Sequence, residues 1–107
     1  MHEAIIALGS NLGNRVQSLN FAIEQLGVGV LKQSQVFETD PVGGPENQGA
    51  YLNMVAALET DLDPYALMRW LHHIEAEAGR VREIHWGPRT LDLDLLFYDD
   101  VLITGGE

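Results

Sequence analysis

The chain has 107 residues, no cysteine and a formal net charge of −10, from 16 acidic and 6 basic side chains. That length predicts one domain over residues 1–107, and the lack of cysteine excludes disulfides and cysteine-based zinc sites. Nucleic acids and anionic membranes bind broad positive surfaces, so the acidic balance favours small-molecule partners instead. The apolar run at residues 4–8 is too short for a leader or a membrane span, so we expect a cytoplasmic protein. We also expect a monomer.

The first part of the chain predicts a strand, a helix and a second strand. Residues 3–8 are apolar on both faces, as in a central strand, and small turn residues follow at 9–14. Apolar side chains spaced by three and four over residues 16–26 indicate a helix that Gly27 ends. A glycine turn before a helix can cradle phosphate, but the P-loop lysine is missing, so a plain turn is favoured. Residues 31–38 are more polar, which suits a strand at a sheet edge.

The second part begins with a loop at residues 39–50, whose two prolines and three glycines indicate a functional or mobile segment. Residues 51–59 alternate as a strand, with one face apolar. Asp63 followed by proline predicts a helix start, and that helix runs to Gly79. A loop at residues 80–90 leads to a strand at 91–98, and residues 101–103 are a possible hairpin partner. Side chains of the strand at 51–59 should alternate between its two faces. The face toward the core is predicted to hold Leu52, Met54, Ala56 and Leu58.

Acidic side chains alternate with apolar ones in the strand at 91–98. Period 2 predicts that Asp92 and Asp94 share one face, roughly 6.6–7 Å apart along the strand, at about 3.3 Å per residue. The opposite face is predicted to hold Leu91, Leu93, Leu95 and Phe97. A wet face of an ordinary half-buried strand would show the same pattern. Three arginines just before the strand instead favour a polyphosphate held by guanidinium groups and divalent cations; these are Arg80, Arg82 and Arg89.

The order of elements predicts an α+β fold, the ferredoxin-like plait (βαββαβ). In it, a four-stranded antiparallel sheet carries both helices on one face. Alternation then brings four side chains to the open face, namely Tyr51, Asn53, Asp92 and Asp94. A ring, an amide and two carboxylates would converge there.

Each of these residue types suggests a chemistry and also has a simpler explanation. Asn53 can donate and accept hydrogen bonds at the edge of a flat heterocycle stacked on Tyr51, or both can belong to an ordinary strand face. Arg82 and Arg89 can neutralise charge on moving phosphoryl groups, or they can be solvated loop residues. Glu75 can bind a substrate or pair with Arg82.

Residues 86–97 read Trp-Gly-Pro-Arg-Thr-Leu-Asp-Leu-Asp-Leu-Leu-Phe, and Arg82 lies shortly before them. With several shorter segments, this motif closely resembles the 6-hydroxymethyl-7,8-dihydropterin pyrophosphokinases of folate biosynthesis. The other segments occur in the same order as in the family: Gly-Ser-Asn-Leu-Gly at 9–13, Thr-Asp-Pro at 39–41, Tyr-Leu-Asn at 51–53, and Glu75 with Gly-Arg-Val-Arg at 79–82.

The resemblance implies a ferredoxin-like plait and transfer of pyrophosphate from ATP to the pterin hydroxymethyl group, with release of AMP. It implies that two Mg²⁺ ions bind Asp92 and Asp94. It implies a pterin pocket formed by Thr39, Pro41, Val42, Tyr51 and Asn53. It implies that ATP is contacted by Glu75, Arg80, Arg82, Trp86, Arg89 and Leu95. Two of these residues, Arg82 and Arg89, would be catalytic.

The chain departs from the family pattern at its carboxyl end. Members of the family continue into a Pro-His segment and an Arg-x-Phe segment, which add contacts to ATP and to the pterin. Residues 104–107 stop before both. The alternative is therefore a truncated or catalytically weakened plait that binds pterin or nucleotide without efficient transfer.

Overall fold

The computed structural model describes residues 1–11, 14–39, 50–79 and 91–103. In these ranges it has two α-helices and six β-strands, with a short 3-10 turn at Gly27–Gly29. The α+β class with an antiparallel sheet and two helices is confirmed. The elements in chain order are β1 His2–Ser10, α1 Arg15–Leu26, β2 Val30–Gln33, β3 Phe37–Thr39, β4 Tyr51–Thr60, α2 Pro64–Ala78, β5 Asp92–Tyr98 and β6 Val101–Leu102.

The strands form one antiparallel sheet in the order β2-β4-β1-β5-β6, and β3 also pairs with β4. The described sheet therefore has six strands rather than the four of the predicted plait. Two differences account for the number. The possible hairpin partner forms as β6, and the strand predicted at residues 31–38 is divided into β2 and β3 along the same edge of β4.

A serine explains the division of that strand. The Ser34 N–H donates to the Val55 carbonyl at 2.8 Å, but the Val55 N–H donates to the Ser34 hydroxyl oxygen at 2.9 Å instead of a backbone carbonyl. The hydroxyl also donates to the carbonyl of Gln35. Side-chain bonds of this kind compete with the regular ladder, so the edge strand is interrupted here.

Both helices begin at capping side chains. The Asn14 side chain accepts a 3.0 Å hydrogen bond from Gln17 N, and Asp63 accepts one of 2.8 Å from Ala66 N, which confirms the predicted start of α2. Gly27, with φ of 77°, ends α1 in a conformation that side chains disfavour. Neither helix in the described ranges is long and apolar enough to cross a membrane.

One face of the sheet packs against both helices. The predicted alternation in β4 is confirmed, because Met54, Ala56 and Leu58 are buried and Leu52 packs against the same cluster. Full burial of each large apolar side chain stabilises the fold by about 1.5–3 kcal/mol. The helices contribute their own buried stripes to this core, Leu19, Ala22 and Leu26 from α1 and Leu67, Leu71 and Ile74 from α2.

The alternation of β5 changes at Leu96. Leu95 and Phe97 pair with consecutive residues of β1, so Leu96 is the extra residue of a β-bulge. As a result, Phe97 is 39% exposed and Tyr98 is buried in the core. The prediction that Phe97 shares the buried face of Leu95 is wrong, because a bulge reverses the faces of the residues beyond it.

Candidate functional site

A cleft of about 140 Å³ lies on the open face of the sheet. Gly9 of β1 lies at its centre, paired with Asn53 of β4 on one side and with Asp92 of β5 on the other. Because residues directly opposite each other in an antiparallel sheet share a face, the amide and the carboxylate flank the same glycine. The lining comes from three neighbouring strands and consists of Ala7, Leu8, Gly9, Tyr51, Asn53, Asp92 and Asp94.

Gly9 keeps the floor of the cleft open. A Cβ atom at this position would lie 3.2 Å from Asn53 Oδ1 and 3.6 Å from Tyr51 Cδ1. The prediction that Gly9 lies in a turn is wrong, because β1 continues to Ser10 in its pairing with β4. A glycine within a strand often marks the close approach of a ligand, and this signal could have identified it.

The Asn53 side chain has a defined orientation. Its Nδ2 donates a 2.7 Å hydrogen bond to Thr39 Oγ1, while its Oδ1 lies on the side of Gly9. Thr39 pairs with Tyr51 across β3 and β4. The structure thus brings together three of the residues predicted for a pterin pocket. The other two, Pro41 and Val42, lie outside the described residues.

Asp92 and Asp94 both lie on the open face, as predicted from alternation. Asp92 is partly exposed and Asp94 is exposed. In the described ranges, no group of three or more His, Asp or Glu side chains forms a metal site. Two carboxylates beside small residues fit a hard divalent cation that takes its other ligands from phosphate and water, as Mg²⁺ commonly does. Their metal binding stays a prediction.

Glu75 anchors the strand that carries these carboxylates. Its Oε2 accepts a 2.7 Å hydrogen bond from the backbone N–H of Leu93, the residue between the two aspartates. Leu95 is 5% exposed and belongs to the core cluster. The predicted roles of Glu75 and Leu95 in ATP binding are not tested by these contacts. The remaining predicted ATP residues lie outside the described part of the chain, namely Arg80, Arg82, Trp86 and Arg89.

The sequence did not predict the roles of two further residues, Phe37 on the open face and Arg15 at the ends of β3 and β4. Phe37 pairs with Asn53, so this half-exposed aromatic ring shares the open face. Its spacing of two from Thr39 was the available signal. Arg15 Nη1 donates to Glu38 Oε2 at 3.0 Å and to the Ala50 carbonyl at 2.8 Å, a tertiary contact that no local pattern indicates.

The resolved pKa shifts lie at the other end of β5. The Glu3 N–H and the nearby His2 side chain hold the pKa of Asp99 below its usual value. Burial, followed by the negative charges of Asp99, Asp63 and Asp61, raises the pKa of Tyr98. Neither residue lines the cleft, so both shifts concern the β5–β6 hairpin rather than the candidate site.

Comparisons with known proteins agree with the sequence motifs. A model of the family described as 7,8-dihydro-6-hydroxymethylpterin-pyrophosphokinase (HPPK) matches residues 5–104. The 2-amino-4-hydroxy-6-hydroxymethyldihydropteridine pyrophosphokinase of Bacillus subtilis is 47% identical over 100 residues, which are 90% of this chain and 59% of that protein. The protein of the same name from Haemophilus influenzae is 42% identical over 107 residues, covering 96% of this chain and 66% of that protein.

A solved structure of an HPPK-DHPS protein in complex with substrates supports the fold. It superposes with a TM-score of 0.66 at 12% identity, over 92% of this chain and 28% of that one. The chain spans less than two thirds of the length of these relatives. On the strength of the family match across residues 5–104, the chain belongs to the HPPK family.

Proposed function

We propose that this chain transfers pyrophosphate from ATP to the hydroxymethyl group of 6-hydroxymethyl-7,8-dihydropterin and releases AMP, a step in folate biosynthesis. The observation that carries the proposal is the arrangement of Asn53 and Asp92 on either side of Gly9. It provides one place for a flat heterocycle and, next to it, one for a charged phosphate chain. Family membership supports the same substrates.

The fold proposed for this activity is the ferredoxin-like plait. In this description β2 and β3 together act as its second strand, and β6 is an addition. The order of the remaining strands supports it, with β4 next to β1 and β1 next to β5. A monomeric state and a cytoplasmic location stay predictions.

The pterin would bind at the β4 side of the cleft. Asn53 Oδ1 would accept hydrogen bonds from N–H groups at the edge of the heterocycle, since its Nδ2 already donates to Thr39. The ring of Tyr51 offers an apolar surface beside the amide. Pro41 and Val42, which follow Thr39 in the chain, complete the proposed pocket.

The triphosphate would bind at the β5 side. Asp92 and Asp94 are the proposed ligands of two Mg²⁺ ions, which would supply positive charge to the phosphates when bound. Arg82 and Arg89 are the proposed catalytic residues, because guanidinium groups can neutralise charge that develops on a phosphoryl group. The other proposed ATP contacts are Glu75, Arg80, Trp86 and Leu95.

The proposed reaction is an in-line displacement at the β-phosphorus of ATP. The pterin hydroxymethyl oxygen forms the new bond and loses its proton, while the bond from the β-phosphorus to the bridging oxygen of the α-phosphate breaks and AMP leaves. The chain contributes mainly by position, because β4 and β5 hold the two substrates on either side of one glycine. Positioning and electrostatic stabilisation are the usual sources of rate in phosphoryl transfer.

An assay of AMP formation tests this proposal directly. The chain is incubated with ATP, MgCl₂ and the hydroxymethyl dihydropterin, and pterin binding is measured in parallel by calorimetry. Pterin-dependent AMP supports the enzyme. Pterin binding without AMP supports the alternative, a pterin-binding domain without efficient transfer. Absence of both overturns the two interpretations together.

A further inference from the structure

We propose that Arg15 is a positioning residue for the pterin pocket, which holds the ends of β3 and β4 together and thereby keeps Thr39 and Asn53 in place. The identity of the ligand rests on the proposed function. The arrangement that Arg15 maintains does not, because it consists only of contacts within the chain.

One guanidinium group joins three segments of the chain. Arg15 is the first residue of α1, and its Nη1 donates to Glu38 Oε2 at 3.0 Å and to the Ala50 carbonyl at 2.8 Å. Glu38 belongs to β3, and Ala50 immediately precedes β4. The Arg15 side chain is 32% exposed and that of Glu38 is 58% exposed, so solvent weakens the ion pair, whereas the bond to the Ala50 carbonyl is part-buried and is weakened less. Both bonds come from the two hydrogens of Nη1, which lies at the end of a side chain longer than that of lysine.

β3 needs such support because it is short. It has three residues, and among the described strands it pairs only with β4, through Phe37, Glu38 and Thr39. A short edge strand has few ladder hydrogen bonds to keep it in register. Arg15 binds Glu38 and Ala50, the chain neighbours of the pair Thr39 and Tyr51, which is the last pair of β3 with β4 among the described residues.

The support reaches the cleft through one hydrogen bond. Thr39 Oγ1 accepts the 2.7 Å bond from Asn53 Nδ2, which leaves Oδ1 on the side of Gly9. If β3 moves, the amide loses the partner that fixes its orientation. Asp92 and Asp94 lie on β5, across β1 from this contact, and should keep their positions.

The test compares Arg15→Gln with Arg69→Gln, the same change at an exposed position of α2. We expect Arg15→Gln to raise the Kd for the hydroxymethyl dihydropterin about tenfold, because without the two hydrogen bonds Asn53 would spend less time in the orientation that binds pterin. Affinity for Mg²⁺-ATP should stay unchanged, and so should pterin binding by Arg69→Gln. Arg15→Lys keeps the charge on a shorter side chain that reaches the two acceptors less well, so it should restore only part of the affinity.

Amide hydrogen exchange provides a second readout that needs no ligand. In Arg15→Gln, the Thr39 and Tyr51 amides should exchange faster, and the side-chain amide signal of Asn53 should shift in the NMR spectrum. Neither change should occur in Arg69→Gln. If Arg15→Gln does not fold, Arg15→Lys and Glu38→Gln are compared with Arg69→Gln by the same two measurements.

The outcomes separate this inference from the proposed function. Wild-type pterin affinity in Arg15→Gln, with unchanged exchange at Thr39 and Tyr51, overturns the role of Arg15. If the wild-type chain itself binds no pterin, the proposed function fails. In that case the exchange and NMR comparison alone decides whether Arg15 holds Asn53 in place.

Discussion

Glu75 accepts a 2.7 Å hydrogen bond from the backbone N–H of Leu93, which ties helix α2 to the strand β5. Leu93 lies between Asp92 and Asp94, so the two acidic side chains project from a backbone that is fixed from the helix side. Glu75 can therefore affect the candidate site through the position of β5, in addition to the ATP contact that its place in the family motif implies.

Replacing Glu75 should reduce stability. Glu75→Ala leaves the part-buried N–H of Leu93 without this partner, and we expect the free energy of unfolding to fall by about 1–3 kcal/mol. Glu75→Gln keeps an acceptor oxygen and should lose less. Urea denaturation measures both, with Glu24→Ala at an exposed position of α1 as the control. An equal effect of Glu75→Ala and Glu24→Ala would show that the bond to Leu93 contributes nothing.

A methyl group at Gly9 should close the cleft without unfolding the chain. In Gly9→Ala the new Cβ would meet Asn53 Oδ1 at 3.2 Å, so the amide must turn or shift. We expect pterin affinity to fall at least about tenfold, while the free energy of unfolding changes by less than about 1 kcal/mol. Calorimetric titration and thermal denaturation give the two values.

Gly79→Ala is the matched control for that variant. A Cβ at Gly79 would lie at an ordinary 3.5 Å from the Glu75 carbonyl, away from the cleft lining. This variant should bind pterin as the wild type does. Unchanged pterin affinity in Gly9→Ala would exclude the floor of the cleft as the pterin site.

Asp94 should be needed for metal-dependent nucleotide binding and not for folding. Its side chain is exposed on the open face, so Asp94→Ala should change the free energy of unfolding by no more than about 0.5 kcal/mol. Titration with ATP should lose its dependence on Mg²⁺ in this variant and retain it in Asp100→Ala, at the exposed hairpin turn. A large drop in melting temperature would instead assign Asp94 a structural role.

Asp99 should make stability depend on pH in the acid range. Hydrogen bonds from Glu3 N–H and the His2 side chain lower the pKa of Asp99 below its ordinary value of 3.8. A lowered pKa in the folded state means that the stabilisation is present above pH 3.8 and is lost as the pH falls through the folded-state pKa. Asparagine tolerates the positive φ of 53° at this position, so Asp99→Asn isolates the charge.

The measurement is the difference in melting temperature between wild type and Asp99→Asn as the pH is lowered. The wild type should be more stable near neutral pH, and the two should converge once Asp99 is protonated. The neighbouring Asp100→Asn should show a smaller difference throughout. A constant difference between wild type and Asp99→Asn, from neutral pH to acid, would contradict the assigned cause.

Local patterns predicted the elements that depend on local chemistry. The Asp63 cap before proline and the alternating side chains of β4 set the start of α2 and the buried face of β4. Alternation also placed Asp92 and Asp94 correctly on the open face, because both precede the bulge at Leu96. These features depend on residues only a few positions apart.

Other features depend on contacts between distant segments, which no local pattern contains. The bulge at Leu96 is defined by pairing with β1, and it moved Phe97 out of the predicted core face. The interruption of the edge strand depends on the hydrogen bond from Val55 to Ser34. The hydrogen bonds of Arg15 to Glu38 and Ala50 form only because the ends of β3 and β4 lie next to the start of α1.

The most direct measurement follows the phosphates themselves. ATP labelled at its β-phosphorus is incubated with the chain, Mg²⁺ and the hydroxymethyl dihydropterin, and the products are separated. Attack at the β-phosphorus, with the pterin at Asn53 and the phosphates at Asp92 and Asp94, predicts that the label enters the pterin product and that AMP is unlabelled. Labelled ADP, or no consumption of ATP when pterin is bound, would contradict this account.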